Sequence, residues 1–182
     1  MKNKLNNPEQ PLYNAIYSNN KYSHYGRTNH GSKYVKSIAN LNPASLIDVG
    51  CGHNNFVKDI KTIGLEKAVG VDFACPSADY ISDIMDLPFK DKQFDFLTAW
   101  DVLEHLRKSQ VHPAFREMKR VSKRFAFTIS YRTAYAIPPP GFEGHNLHQC
   151  VENEQWWGNI ISKYSNKYIS KDNFWVGQWN VQ

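Results

Sequence analysis

Two groups of residues in this chain have the types and spacing that chemistry needs. The first is Asp48-Val49-Gly50-Cys51-Gly52, an acid and two glycines closing a short apolar run. Gly50 and Gly52 let the chain bend and leave room for a ligand that a Cβ would exclude. Further on, Asp72 closes the run Ala68-Val69-Gly70-Val71-Asp72, and a carboxylate there can accept hydrogen bonds from both hydroxyls of a ribose. The pair of turns points to a nucleoside. A dinucleotide site would carry G-x-G-x-x-G, whereas Gly52 is followed by His53-Asn54-Asn55, without a third glycine to let a pyrophosphate rest on a helix N-terminus. Asp48 at the strand end would repel a phosphate and attract a cation, so an adenosine carrying a positive centre fits better than one carrying phosphates.

The second group is Asp101, Glu104 and His105 in "WDVLEHL". In a helical turn, positions i, i+3 and i+4 share a face, which would bring two carboxylates and an imidazole together. The segment "GHNLH" adds His145 and His148. Mixed carboxylate and imidazole ligands suit Mn²⁺, Fe²⁺ or Zn²⁺, or Mg²⁺ with water completing its shell. The same residues can also act without a metal, with Glu104 and His105 as a catalytic base or orienting pair, or simply as caps and braces of a helix.

The elements that must hold these groups alternate along the chain. The apolar runs SLIDV, AVGVD, FDFLTAW and FAFTISY are separated by stretches long enough for helices, among them 56–63 and 111–121. Continuous β-rich runs of this kind suit a parallel sheet covered on both faces, and their alternation predicts an open, doubly wound α/β sheet. Pro138-Pro139-Pro140-Gly141 must be a loop. A helix is expected from about Asn153, its N-cap, to Tyr164, followed by two short strands around Lys171-Asp172-Asn173. The first forty residues are too polar for a core strand. One domain is expected over 1–182, with an N-terminal arm or lid over 1–40, a cofactor-binding core over 45–131, and a substrate-side loop, helix and strands over 132–182.

Composition sets the remaining bounds. No apolar stretch approaches the roughly 20 residues that span a bilayer, and MKNKLNNPEQ has no signal-like apolar segment; the expectation is a cytoplasmic protein without a membrane partner. Cys51, Cys75 and Cys150 form no C-x-x-C pair, so reduced thiols are expected. The net charge of +5 is compatible with an anionic partner without requiring one. Arg116, Lys119, Arg120, Lys123 and Arg124 read as solvated surface at the sheet end away from the ligand, and at least one of Trp156 and Trp157 should face the core.

The motifs Asp48 to Gly52, Asp72, "SDIMDLPF" (82–89) and "FDFLTAWDVLEHL" (94–106), in this order, resemble those of class I S-adenosylmethionine-dependent methyltransferases. The resemblance spans about 45–131 and implies a Rossmann-like, mostly parallel sheet with an antiparallel C-terminal strand. It implies that Gly50 and Gly52 lie against the methionine part of S-adenosylmethionine, near Asp48. Asp72 would hold the ribose and Phe73 would cover one adenine face. Asp83 would accept from the adenine amino group beside the Ile84 amide, with Trp100 also facing the cofactor. Arg27, in "HYGRTNHG", would hold the cofactor carboxylate if that stretch folds over as a lid. Asn54 stands where many members carry a third glycine. The acid-x-x-Glu-His arrangement is similar to that in the metal-dependent O-methyltransferases of ubiquinone biosynthesis and in small-RNA 2′-O-methyltransferases, which usually carry glutamate where this chain has Asp101.

Three functions follow. The leading one is methylation of a small-molecule acceptor at oxygen or nitrogen, since the chain lacks the N-P-P-Y or D-P-P-Y segment and the Pro-Cys nucleophile of common base-modifying enzymes. Methylation of an RNA ribose 2′-hydroxyl needs neither motif, and positive charge would help it bind phosphates. The third is a non-catalytic S-adenosylmethionine-binding module. The acceptor and the oligomeric state do not follow from the sequence.

Overall fold

In the computed structural model, residues 7–19, 30–134 and 138–180 are described. Seven strands form one sheet in the order β3-β2-β1-β4-β5-β7-β6. They are β1 (Leu46–Val49), β2 (Ala68–Asp72), β3 (Tyr80–Ile81), β4 (Phe94–Trp100), β5 (Ser122–Thr128), β6 (Lys167–Lys171) and β7 (Phe174–Gln178). The first five run parallel, and β7 enters antiparallel between β5 and β6. β1 and all but one residue of β4 are buried or nearly so, as a strand covered on both faces requires. The expected sheet, including its antiparallel C-terminal strand, is the one observed.

The helices are α1 (Gln10–Ser18), α2 (Val35–Asn40), α3 (Asn55–Thr62), α4 (Lys108–Val121) and α5 (Glu154–Ile161). α3 and α4 fall where their apolar spacing placed them, and α5 is capped by Asn153, whose side chain accepts from the Trp156 N–H at 2.9 Å, but ends at Ile161, short of the expected Tyr164. Trp157 is fully buried in the main core. Two further expectations shift. β5 starts at Ser122, three residues before the FAFTISY run, because the pairing with β4 opens at Phe94 opposite Ser122. Among the described N-terminal residues there are packed helices: α1 buries Leu12, Tyr13 and Ile16 against Phe73 and Leu147, and α2 buries Val35 and Ile38 against the sheet. Each helix shows only a narrow apolar stripe in a polar context, too short to register as a period.

Of the basic residues before β5, Arg120 is structural. Its guanidinium binds Glu117 and Asp91 and donates to the carbonyls of Leu87 and Phe89, which ties α4 to the segment entering β4. Lys123 pairs with Asp95. No helix among the described residues is long and apolar enough to cross a membrane.

Candidate active site

The carboxyl ends of β1, β2, β4 and β5 open into one cavity of about 460 Å³, a size typical of small-molecule sites. Asp48, Gly50, Gly52, Asp72, Phe73, Asp101, Glu104, His105 and His148 are all among the residues that line it. Its β1 end is shaped by backbone. Gly50 and Gly52 have φ of +72° and +51°, and a Cβ on Gly50 would fall 2.5 Å from a Val102 methyl. Asn54 supplies the next left-handed residue, φ +63°, a conformation asparagine tolerates. It thus takes, at this turn, the left-handed conformation that glycine adopts most readily.

Asp48 is fully buried and accepts a hydrogen bond from Thr98 Oγ1 at 2.7 Å. Burial pushes its carboxyl up to about pH 7, against the lowering effect of Thr98. A cation entering the cavity would restore its charge. The Asp72 carboxylate is fixed by the backbone: one oxygen accepts from the Ala74 and Cys75 N–H groups at 2.9 and 2.8 Å, the other from the Gly52 N–H at 3.1 Å. Tyr17 reaches the same second oxygen at 3.4 Å.

A second, narrower cavity of about 60 Å³ adjoins the first, lined by Phe73, Asp83, Ile84 and Val102. Asp83 accepts from the Met85 N–H at 2.9 Å and from the Asn7 side chain at 2.7 Å. Phe73 meets Tyr13 edge to face at 4.8 Å. Trp100 lines the larger cavity, stacked on Tyr34 at 5.1 Å, with its indole N–H buried and unpartnered among the described residues. Arg27 lies outside the described residues.

The second group of the sequence divides. Residues 103–105 form a single 3₁₀ turn instead of the expected α-helical turn, and Asp101 adopts φ +53°, so it does not share a face with Glu104 and His105. Its Oδ2 lies 3.0 Å from His30 Nδ1. His145 is also drawn away: its Nε2 lies 2.9 Å from Glu9 Oε2, and Glu9 in turn pairs with Arg107 at 2.5 Å. Glu104, His105 and His148 do converge, each offering a ligand atom within 4.8 Å of the others.

Their second contacts are ordered. His105 Nδ1 lies 2.9 Å from the Leu147 carbonyl and 2.7 Å from Tyr13 Oη; His148 Nδ1 lies 2.5 Å from the Arg132 carbonyl. A carbonyl only accepts, so each ring carries its hydrogen on Nδ1 and keeps a lone pair on Nε2. Metal-binding histidines are oriented in this way. Glu104 accepts from the Ser130 N–H at 2.9 Å, while its other oxygen is buried without a partner among the described residues. Burial and the neighbouring Asp101 raise its carboxyl to about 8, and burial pushes His105 down to about 3. A cation placed among them would relieve the cost of burying Glu104 and satisfy the orphaned oxygen.

Several wall residues escape sequence reasoning. Tyr13 and Tyr17 come from α1, Val102 floors the Gly50 turn, and Ser130 and Thr133 follow β5. Only His30 carried a signal, since it belongs to the glycine-flanked stretch that drew attention to Arg27.

The family model described as a methyltransferase domain matches residues 47–127. An uncharacterized protein of Methanocaldococcus jannaschii is 31% identical over 97 residues, which cover 50% of this chain and 42% of that relative. The matched stretch thus spans less than half of the relative's length. A Pyrococcus horikoshii protein of known crystal structure superposes with a TM-score of 0.65 at 13% identity, over 97% of this chain and 99% of that one. The 1,6-didemethyltoxoflavin-N1-methyltransferase of Burkholderia thailandensis, solved with S-adenosylhomocysteine and its acceptor, gives a TM-score of 0.58 at 15% identity, over 94% and 91% of the two chains. At these identities the likeness to solved structures concerns the fold.

Proposed function

From the match of residues 47–127 to the methyltransferase-domain family model, we propose that this chain is a class I methyltransferase that transfers a methyl group from S-adenosylmethionine to oxygen or nitrogen of a small-molecule acceptor. The observation that carries this reading is that one cavity gathers Gly50, Gly52, Asp72 and Phe73 together with Glu104, His105 and His148. Asp72 receives the ribose hydroxyls, Phe73 covers the adenine, and Asp83 and the Ile84 backbone meet its amino edge. Buried Asp48 complements the sulfonium charge. The Burkholderia neighbour, which acts on a small heterocycle, is an instance of the same fold put to that use.

We also infer that Glu104, His105 and His148 hold a divalent ion, with neither Asp101 nor His145 among its ligands. Such an ion would supply Lewis acidity to an acceptor heteroatom. The protein's own part is to align that heteroatom with the methyl carbon and to exclude water.

The test has two arms. S-adenosylhomocysteine should form when S-adenosylmethionine is supplied with hydroxylated or amino acceptors, and its absence across them would leave only a cofactor-binding module. Mn²⁺ titrated into chelator-treated protein should bind, with binding lost in His105→Ala and in His148→Ala but kept in His145→Ala. Equal binding by all four proteins would remove the metal.

A further inference from the structure

If Glu104, His105 and His148 spend their lone pairs on an ion, the proton of the acceptor must go elsewhere. His30 stands on the same cavity wall as Asp101, with its Nδ1 3.0 Å from Asp101 Oδ2. The carboxylate only accepts, so the ring's hydrogen sits on Nδ1 and the lone pair on Nε2. Asp101 is itself locked in place. It adopts φ +53° at the end of β4, and its N–H donates to Thr128 Oγ1 at 3.0 Å. Its second oxygen, Oδ1, is buried without a partner among the described residues. Gly31 presses the backbone beside His30 onto the wall, since a Cβ there would overlap the Trp100 indole and the Phe56 ring.

We propose that His30, oriented by Asp101, is the general base that deprotonates a hydroxyl acceptor in this cavity; the inference rests on the methyltransferase reading. As an oxygen lone pair forms the bond to the methyl carbon, the O–H proton passes to His30 Nε2. The carbon–sulfur bond breaks with its electron pair staying on sulfur, which leaves as a neutral thioether. Asp101 stabilises the imidazolium, as the acid of a His-Asp pair does. The His30 side chain is 51% exposed, so the proton then passes to solvent. The aromatic walls formed by Trp100 and Phe56 suit a phenolic probe.

The experiment compares methyl transfer to phenol and to 4-nitrophenol at pH 8, read as S-adenosylhomocysteine formed, in wild type, His30→Ala and Asp101→Asn. Phenol must be deprotonated by the enzyme, whereas 4-nitrophenol ionises by itself. His30→Ala should lose about 10²- to 10⁴-fold in kcat on phenol but less than about tenfold on 4-nitrophenol, with added imidazole restoring part of the loss. Asp101→Asn should show the same selective loss, smaller in size. Equal losses on both phenols, no loss on phenol, or no transfer to either phenol by wild type that binds S-adenosylhomocysteine would overturn the proposal alone. Failure of wild type to bind S-adenosylhomocysteine would overturn the methyltransferase reading beneath it.

Discussion

Asp48 shows how one buried acid can serve a cationic ligand. In the folded chain its carboxyl titrates near 7, against an ordinary value of 3.8. Between those pH values the folded state holds one more proton at this position than the unfolded state, so its contribution to stability falls as pH rises from about 4 to 7. Above that window the buried charge is a full penalty, offset only by Thr98. Asp48→Asn should therefore raise the melting temperature at pH 8 and leave it nearly unchanged at pH 4, as followed by circular dichroism. The same charge should favour the sulfonium. In wild type the preference for S-adenosylmethionine over neutral S-adenosylhomocysteine should increase as pH rises through 7, and in Asp48→Asn it should stay flat. Calorimetry at several pH values measures both.

At the scale of elements, turns and helix ends decide whether the site exists. Gly50→Ala would place a methyl against Val102 in a left-handed residue, which costs about 1–2 kcal/mol for the conformation alone. Its binding of S-adenosylhomocysteine should be lost and its melting temperature lowered. Removing the Asn153 cap of α5 by Asn153→Ala should cost about 1 kcal/mol, read as a fall of about 2–4 °C in melting temperature, without affecting the ligand. α1 and the residues leading into it border the narrower cavity, with Asn7 on Asp83 and Gln10 on the Phe73 carbonyl, and Glu9, at the start of the helix, pairs with Arg107 and His145. Glu9→Gln removes charge from that latch, and at about 1.5 kcal/mol it should speed S-adenosylhomocysteine dissociation about tenfold, measured by stopped-flow tryptophan fluorescence.

The parallel strands and their glycine turn were legible because a strand buried on both faces must be written as a continuous apolar run, and a backbone that bends around a ligand must be written with glycine. Glu104 and His105 do converge, but with His148 and from a 3₁₀ turn in place of the helical face that their spacing suggested. What stayed hidden depends on three-dimensional approach. The departure of Asp101 toward His30 follows from a single left-handed residue at the end of β4, which a helical spacing rule does not contain. His145 and His148 sit three apart in one loop and look equivalent, yet Glu9, from more than a hundred residues away in the sequence, takes one and leaves the other.

For the molecule as a whole, a seven-stranded sheet brings the ends of four strands, α1 and the loop after β5 around one cavity. This cavity is the proposed site of S-adenosylmethionine. The most direct measurement is calorimetric titration of S-adenosylmethionine, S-adenosylhomocysteine and NAD into the protein, with Asp72→Ala beside wild type and its fold checked by circular dichroism. Both sulfur nucleosides should bind wild type, NAD should not, and the folded variant should bind them more weakly. Absence of binding, or a preference for NAD, would contradict the assignment of the turn at Asp48 and the methyl-transfer chemistry built upon it.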